Sequence, residues 1–372
     1  MQKKLIAVAV LGACVAGSAL AANVDVYGRI DMGLSYVHQK IGDQAGTDTL
    51  SMDSGLSSGN RWGLKGSEDL GNGYQVGFVL ESGFDADTGK MSKDGLFNRE
   101  ATLRVSGPFG SIYAGRMGRI GSDAGSVGFY AGSVSPFGSG WGEMPGHFAV
   151  TANYDSRYNN ALAYVSPKVG PVTVYAQYTM GNTTENESGD DRLFSLGAQA
   201  DFGALQVLGL VEYLNKQSTV AGTAGAPNVT HNDSQYDDSY TINLGGSYDF
   251  GVAKVFLAGQ YFNAAPNFAG QGGDWTESFD GFGVNVGASA PIGAGEFLVS
   301  AGYGKGDYHV GTKDTNRSAD SYIFQVGYTY PFSKRTNLYA GAGYHQTTME
   351  EEASKDSKTK TTQVMFGLLH KF

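Results

Sequence analysis

Residues 362–372 read TQVMFGLLHKF and alternate apolar side chains with polar or small ones. Because successive side chains of a β-strand point to opposite faces, this alternation predicts a strand. One face carries Val364, Phe366, Leu368, His370 and Phe372, and the other carries Gln363, Met365, Gly367, Leu369 and Lys371. A similar segment of about ten residues, followed by a turn, recurs about sixteen times from Asn23 onwards.

The recurring segments predict an all-β, antiparallel fold. Their predicted bounds are 23–38, 58–68, 74–86, 95–106, 111–116, 157–166, 171–181, 191–202, 204–215, 238–249, 252–263, 280–290, 295–306, 319–331, 335–348 and 362–372.

The connections between these segments alternate between short and long. Short ones such as 69–73 and 107–110 contain the Gly, Asn, Asp and Pro residues that tight hairpins require. The long ones are 39–57, 87–94, 117–156, 182–190, 216–237, 264–279, 307–318 and 349–361. This asymmetry is typical of transmembrane β-barrels of about 16 strands whose termini lie on the periplasmic side.

Composition agrees with a membrane barrel better than with a soluble protein of this size. The 372 residues include 22 Tyr, 20 Phe and 56 Gly, and the mean hydropathy is only −0.23. Barrel strands alternate and therefore need no strong overall hydrophobicity. No long helical periodicity follows residue 22, and no linker divides the chain, so residues 22–372 form one predicted domain. The net charge of −10 argues against nucleic acid as a partner.

The N-terminal segment has the features of a secretory signal peptide. Lys3 and Lys4 precede an apolar run, and small residues precede a cleavage point after Ala21, which predicts removal of residues 1–21. Cys14 offers the alternative of a lipoprotein processing site, but it more simply belongs to the apolar run. Without residues 1–21 the chain has no thiol and a net charge of −12. We expect no cofactor and no metal.

Several motifs in order resemble those of the Gram-negative general diffusion porins. They are Val26-Tyr27-Gly28-Arg29-Ile30-Asp31, Arg61 to Gly73, Phe109 to Arg116, Arg157 to Asn160, Tyr164 to Pro167 and the terminal Phe372. The resemblance spans the whole mature chain. It implies an outer-membrane homotrimer of sixteen-stranded barrels, each with a water-filled pore that an infolded third long loop constricts. It also implies that Phe372 is an assembly signal for the barrel-assembly machinery.

Strand parity predicts a basic wall in the pore, because charges on the lipid-facing side are costly. The expected members are Arg29, Arg61, Lys65, Arg104, Arg116 and Arg157. The long loop 117–156 offers Asp123, Glu143 and Asp155 as acids opposite this wall. A basic wall facing acids would create a transverse field that favours small hydrophilic solutes, with a lean towards anions. The alternative is that individual arginines only pair with acids to hold the loop.

Two positions leave the parity argument open. Parity with Phe97 and Ala101 directs Arg99 outward unless a bulge intervenes, and the alternation is weakest near Gly115. The loop 117–156 is rich in Gly and Ser, and its aromatic residues could anchor it against the wall. A folded-in loop is expected rather than a mobile flap, because such a long loop without structure is uncommon.

Acidic residues also occur in the other long loops: Glu185, Glu187, Asp190, Asp191, Asp233, Asp237, Asp238, Glu350, Glu351 and Glu352. Such runs usually form solvated surfaces. Oxygen ligands also suit divalent cations that would bridge to lipopolysaccharide phosphates, which is the functional alternative.

Enzyme hypotheses have little support. Gly55-Leu56-Ser57-Ser58-Gly59 matches G-x-S-x-G, but it precedes a barrel strand and lies at no strand-to-helix elbow. The six histidines lack metal-ligand spacing. The predicted function is therefore a passive diffusion channel for ions and small hydrophilic solutes. The alternatives are a solute-specific channel and an adhesin or receptor that acts through its loops.

Overall fold

The computed structural model describes residues 23–144, 146–180, 192–215, 219–220, 229–230, 238–269, 271–272, 277–310, 313–351 and 356–372. Sixteen antiparallel strands form one sheet in which each strand pairs with its neighbours in sequence. The first strand also pairs with the last, from Arg29 opposite Lys371 to Ile41 opposite Thr359. The sheet is therefore a closed barrel, as the alternation predicts.

The strand bounds, in chain order, are as follows. They are β1 Asn23–Ile41, β2 Thr47–Ser54 and Arg61–Gly71, β3 Tyr74–Asp85, β4 Glu100–Gly107, β5 Gly110–Gly118, β6 Arg157–Val165, β7 Val172–Thr179, β8 Leu193–Phe202, β9 Leu205–Leu214, β10 Ser239–Asp249, β11 Lys254–Ala265, β12 Glu277–Ile292, β13 Gly295–Val310, β14 Lys313–Pro331, β15 Thr336–Glu351 and β16 Ser357–Lys371.

The second strand has two segments that pair with successive parts of β1. Residues 47–54 pair with the upper half of β1, ending at Met32 opposite Ser54, and residues 61–67 continue from Arg29 opposite Arg61. Residues 55–60 leave the ladder between these segments. The prediction of a long connection over 39–57 is therefore wrong, because residues 39–41 belong to β1 and residues 47–54 to β2.

Strand length varies around the barrel. β4 has 8 residues, β7 has 8 and β9 has 10, whereas β1 and β14 each have 19. The wall is consequently low on the β4–β9 side and tall on the β12–β1 side.

The two faces of the wall differ in polarity. Large apolar side chains are exposed on the outside, for example Val26 (65%) and Leu244 (65%). Several polar side chains on the inside are buried, among them Gln177, Gln325 and Gln363. In β16 the predicted parity is confirmed, since Phe366 is exposed while Met365 is buried.

The remaining described elements are short. Helix α1 is Ala131–Val134, and Gly146–Ala149 forms one turn of 3₁₀-helix. Three short strands or strand pairs lie at the long-loop end: Lys90–Met91, Thr219–Val220 with Val229–Thr230, and Asn267–Phe268 with Gln271–Gly272. None of the helices in the described ranges is long and apolar enough to cross a membrane.

Candidate functional site

The connection between β5 and β6, residues 119–156, packs against the inner wall of the barrel, and we call it the inner loop. Its Phe129, Tyr130 and Val134 contact Leu208 and Leu210 of β9 in one buried cluster. Farther along, its apolar residues Phe137, Trp141 and Met144 pack with Leu298, Tyr339, Met365 and Leu369. The inner loop therefore covers the wall from about β6 round to β16.

Glycines of the wall allow this close approach. A Cβ atom at Gly245 would lie 2.6 Å from Cγ1 of Val134, and one at Gly287 would lie 2.5 Å from Cδ of Pro136. Because any side chain there would overlap the inner loop, these glycines determine how closely the loop packs against the wall.

A buried ion pair fixes the start of the inner loop. The Arg119 guanidinium donates to the Glu212 carboxylate of β9 and, at 3.0 Å, to Oδ1 of Asn153. Both charged side chains are almost fully buried. A second contact joins the loop to β4, since the backbone N–H and the hydroxyl of Ser126 donate to Glu100. Sequence reasoning missed both contacts.

His147 lies in the 3₁₀ turn of the inner loop and is buried. Burial lowers the pKa of His147 to about 4, an effect that the Gly138 carbonyl and Asp123 only partly oppose. The Nδ1 atom lies 3.3 Å from that carbonyl oxygen. The imidazole is therefore neutral at physiological pH.

The predicted loop acids all lie on the exposed face of the inner loop. The Asp123 carboxylate accepts hydrogen bonds from the backbone N–H (3.0 Å) and hydroxyl (2.9 Å) of Ser139. Asp123 interacts electrostatically with Arg157, and Asp155 interacts with Arg116. Glu143 is not near these arginines. It lies beside β16, where its backbone N–H donates to the side chain of Gln363. Two of the three acids are thus brought towards the predicted basic residues.

Four arginines surround the carboxylate of Glu81 in β3, and we call them the arginine cluster: Arg29, Arg61, Arg99 and Arg157. The Arg99 Nε–Glu81 Oε1 distance is 2.7 Å, and the Arg61 Nη1–Glu81 Oε1 distance is 3.7 Å. Glu81 interacts electrostatically with the other two. A single carboxylate is therefore shared by four cations.

The arginine cluster includes a residue that parity did not assign to it. Arg99 precedes β4, and its backbone N–H donates to the Glu81 carbonyl, which turns its side chain inward. Parity allowed this inward direction only if a bulge intervened, and the regular pairing with β3 does end at Glu100, opposite Glu81. Strict alternation does not apply because Arg99 lies outside the regular strand.

Lys65 and Arg104 lie apart from the arginine cluster, nearer the short turns. With Asp25, Thr102, Tyr113 and Ser126 they line a cavity of about 340 Å³, which we call the lower cavity. Lys65 Nζ also lies 5.4 Å from the centre of the Tyr27 ring. The six predicted basic residues therefore fall into groups: three join the arginine cluster, and two line the lower cavity. Arg116 interacts electrostatically with Arg157 and with Asp155.

Arg116 lies at the irregularity anticipated near Gly115. The β5–β6 register shifts between Gly115 and Met117, and Gly115 has a φ of +132°. The Arg116 guanidinium donates to the Asn98 carbonyl (2.8 Å) and to Oδ1 of Asn159 (2.6 Å). These bonds give Arg116 a structural role beside its interaction with Asp155.

Residues 55–60, which contain the G-x-S-x-G pattern, fold around Asp31 of β1. The fully buried Asp31 carboxylate accepts hydrogen bonds from the N–H and hydroxyl of Ser57, from the N–H of Ser58 and from the Tyr339 hydroxyl. The next regular element is the strand segment that begins at Arg61. The pattern therefore builds a cage for a carboxylate rather than a nucleophile elbow.

The C-terminal Phe372 lies on the outer surface and is 46% exposed. Its backbone N–H donates to the Gly28 carbonyl at 3.0 Å, and its ring fills the space where a Gly28 side chain would be. The terminal aromatic ring thus covers a notch in β1.

Several sequence predictions fall on residues outside the described ranges. These are the signal peptide, Cys14 and the loop acids Glu185, Glu187, Asp190, Asp191, Asp233, Asp237 and Glu352. Among the described residues, no group of three or more His, Cys, Asp or Glu side chains could hold a metal ion.

Comparison with known proteins assigns the barrel to a family. The sequence profile described as Gram-negative porin matches residues 7–349. The chain is 34% identical over 408 residues to an outer membrane porin protein of Bordetella pertussis, and the match covers all of both chains. It is also 30% identical over 259 residues to outer membrane porin protein 32 of Delftia acidovorans, covering 60% of this chain and 72% of that one.

A solved structure supports the same architecture. The anion-selective porin from Comamonas acidovorans superposes with a TM-score of 0.64 over 95% of this chain and 100% of that one. At 22% sequence identity, this likeness shows the fold.

Proposed function

The chain belongs to the Gram-negative porin family, and we propose that its channel selects solutes at the gap between the arginine cluster and the inner loop. As a member of this family it is an outer-membrane porin that forms a passive diffusion channel in the lipid bilayer. The family consists of channel proteins, and we assign no catalytic activity to Ser57.

The main support for the proposal is the placement of the inner loop. It covers the wall from about β6 to β16 and contacts β4 at Glu100, and it leaves most of the β1–β3 wall uncovered. That part of the wall carries Arg29, Arg61 and Glu81. Asp123 and Asp155 are exposed on the loop face towards Arg157 and Arg116. A solute that passes between them would cross a transverse electric field.

We infer a preference for anions from the charge ratio at this gap. Counting Arg116, five guanidinium groups face three carboxylates, those of Glu81, Asp123 and Asp155. The nearby Asp31 carboxylate is buried and fully hydrogen-bonded. The structurally similar Comamonas porin is described as anion-selective, which agrees with this inference. Arg104 and Lys65 extend the positive potential towards the periplasm.

Reversal potentials in planar bilayers under a KCl gradient test the proposal. We expect stable ohmic steps and a chloride preference that falls in Arg29→Ala and Arg61→Ala. The control is Lys168→Gln, which removes an exposed cation that pairs with Asp201 at a short turn. A cation preference that neither arginine variant changes would overturn the assignment.

We also propose that the protein is a homotrimer whose contact face is the low side of the barrel. A strand of 9 residues, such as β5, rises about 23 Å along the membrane normal at a tilt of about 40°. This is slightly less than the apolar band of about 25 Å, so protein contact there would avoid a mismatch with lipid. Light scattering of the detergent-solubilised protein should give three times the protomer mass, and a monomer mass would contradict the proposal.

Three further proposals concern export and assembly. Residues 1–21 are removed as a signal peptide, so mass spectrometry of the mature protein should place Ala22 first. Phe372 acts as the signal for the barrel-assembly machinery, and its deletion should reduce the amount of folded protein in the outer membrane. The long-loop end contacts lipopolysaccharide, so chelation of divalent cations should weaken co-purification of lipopolysaccharide.

A further inference from the structure

The lower cavity contains two cations without a carboxylate partner. In the described part of the chain, no carboxylate oxygen lies within 4.0 Å of Lys65 or Arg104. Asp25 is the cross-strand partner of Lys65 and lines the same cavity, yet the two side chains form no such pair. Two cations against one lining carboxylate leave the cavity with a net positive charge, which attracts an anion.

Three hydrogen-bond donors remain available to a ligand in this cavity. The hydroxyls of Thr102 and Ser126 both donate to Oε1 of Glu100, at 2.8 and 2.6 Å, so they are already engaged. Lys65 Nζ, the Arg104 guanidinium and the Tyr113 hydroxyl line the cavity as well. The described residues offer the Tyr113 hydroxyl no hydrogen-bond partner.

The Lys65 and Arg104 donors differ in geometry, and this difference indicates the chemical class of the ligand. An ammonium group is a compact charge with three donors, whereas a guanidinium is a planar fork that suits two oxygens of one oxyanion. The volume of about 340 Å³ lies at the lower end of the range for small-molecule sites. The site therefore suits a small oxyanion with several charged oxygens.

Asp25 adds an acceptor to the same cavity, and an acceptor distinguishes between oxyanions. Inorganic phosphate near pH 7 carries at least one O–H that a carboxylate can accept, whereas sulfate carries none. A carboxylate facing sulfate would meet only repulsion. The presence of Asp25 therefore favours a protonated oxyanion or one bound to a neighbouring hydroxyl group.

We propose that Lys65, Arg104, Tyr113 and Asp25 form a subsite for phosphate, as the free anion or as the phosphoryl group of a small solute. The subsite lies on the periplasmic side of the arginine cluster. Lys65 is four residues beyond Arg61 towards the short turn, or about 13 Å along β2. This inference rests on the proposed function, because it names a solute class for the same channel.

The test measures phosphate block of the chloride current through single channels of the intact protein. Inorganic phosphate, glycerol phosphate and sulfate are added at constant ionic strength. We expect a saturable fall in current with inorganic phosphate and glycerol phosphate and a weaker effect of sulfate. Saturation with inorganic phosphate alone would assign the site to the free anion. Saturation with glycerol phosphate alone would assign it to phosphorylated solutes.

Variants connect the block to the cavity. In Lys65→Gln and Arg104→Gln the half-blocking phosphate concentration should rise by roughly tenfold or more, as expected for the loss of a charge-assisted hydrogen bond. Lys168→Gln should leave it unchanged. Tyr113→Phe removes only the hydroxyl and keeps the ring packing, so it tests the subsite even if a charge variant fails to fold. The half-blocking phosphate concentration should rise in this variant, and an unchanged value would contradict a role for the Tyr113 hydroxyl. Asp25→Asn should reduce the difference between phosphate and sulfate.

Some outcomes would separate the two proposals. A non-saturable fall in current that is equal in all variants, in channels that still conduct, would overturn the phosphate subsite and leave the channel function standing. An absence of conductance in the wild-type protein would overturn both.

Discussion

Gly283 of β12 lies directly against the carbonyl group of Val150, so that a Cβ atom at this glycine would overlap the carbonyl oxygen. Gly304 of β13 contacts the same carbonyl from the neighbouring strand. The inner loop thus meets the wall at backbone contact distance, with no side chain between them. Its position depends on residues that lie far from it in sequence.

Gly283→Val is expected to displace the inner loop from the wall and to increase the single-channel conductance, because the added side chain cannot fit beneath Val150. Gly259→Val is the matched control, since a Cβ there has only the Leu244 carbonyl oxygen nearby, at 4.0 Å. Equal conductance in both variants would show that the loop does not narrow the channel.

Glu81→Gln is expected to strengthen anion selectivity. The substitution removes the one carboxylate that the arginine cluster shares, while the amide keeps a similar volume. Arg99→Gln should have the opposite effect and shift the reversal potential towards that of cations. Both shifts should shrink at high ionic strength, because salt screens the field. Shifts in the same direction would contradict the assigned roles.

Replacement of Glu212 by Gln should destabilise the protein by about 3–5 kcal/mol, because it leaves the buried Arg119 without a counter-charge. The double variant Arg119→Met, Glu212→Leu should recover much of this loss, since it removes both charges. Thermal loss of the folded band on gels measures the effect in each variant. Independent, additive losses would indicate that the pair is not coupled.

Asp31→Asn is expected to lower the unfolding temperature more than Tyr339→Phe does. The amide cannot accept all the hydrogen bonds that the carboxylate takes from Ser57, Ser58 and Tyr339, whereas Tyr339→Phe removes only one of them. The single lost bond should cost about 1–3 kcal/mol. The reverse order of the two variants would mean that the cage around Asp31 contributes little.

Acid should loosen the inner loop through His147. Because burial lowers the folded-state pKa of His147 to about 4, below the ordinary 6.5, the packed state binds its proton more weakly than the released state. The stability of the packed loop is therefore complete above pH 6.5 and falls as the pH drops from 6.5 towards 4, by about 3 kcal/mol in total.

Current fluctuations recorded between pH 7 and pH 4 measure this release. His147→Asn should remove part of the pH dependence, whereas His38→Asn, at an exposed histidine that pairs with Asp48, should retain it. Identical pH profiles in the two variants would assign the acid response to other groups.

The alternation of apolar and polar residues predicts all sixteen strands, because the wall separates lipid from the barrel interior along most of its height. It does not predict where the strands end on the long-loop side. Residues 313–318 and 357–361 are strand residues that are polar on both faces, so no period of two marks them. The sequence prediction does not include the upper segment of β2, because the two apolar residues of its TDTLSMDS are too few to mark an alternation.

The arrangement within the barrel was predictable only in part. The inward positions of β9 hold Leu208, Leu210, Glu212 and Leu214, while Val207 and Val211 are apolar on the outside. A strand apolar on both faces signals that something covers its inner face, and the single acid in that row signals a buried partner. These two features could have indicated the inner loop and its Arg119 contact.

The division of the basic residues needed coordinates. Parity gives the face on which a side chain lies, but height along the barrel also depends on the register between strands. Arg61 and Lys65 share a face of β2 and yet belong to different groups. The bulge at Gly115 and the irregular segment before β4 likewise carry no periodic signal.

The pairing of β1 with β16, completed where the Phe372 ring covers Gly28, has a consequence for biosynthesis. The ring of strands can close only when β16, which begins at Ser357, meets β1, which ends at Ile41 and is therefore synthesised much earlier. Until that moment both edges of the sheet expose unpaired backbone groups that invite aggregation. A chain released early by a premature stop codon would therefore lack the strand that closes the barrel and would remain a substrate for proteolysis.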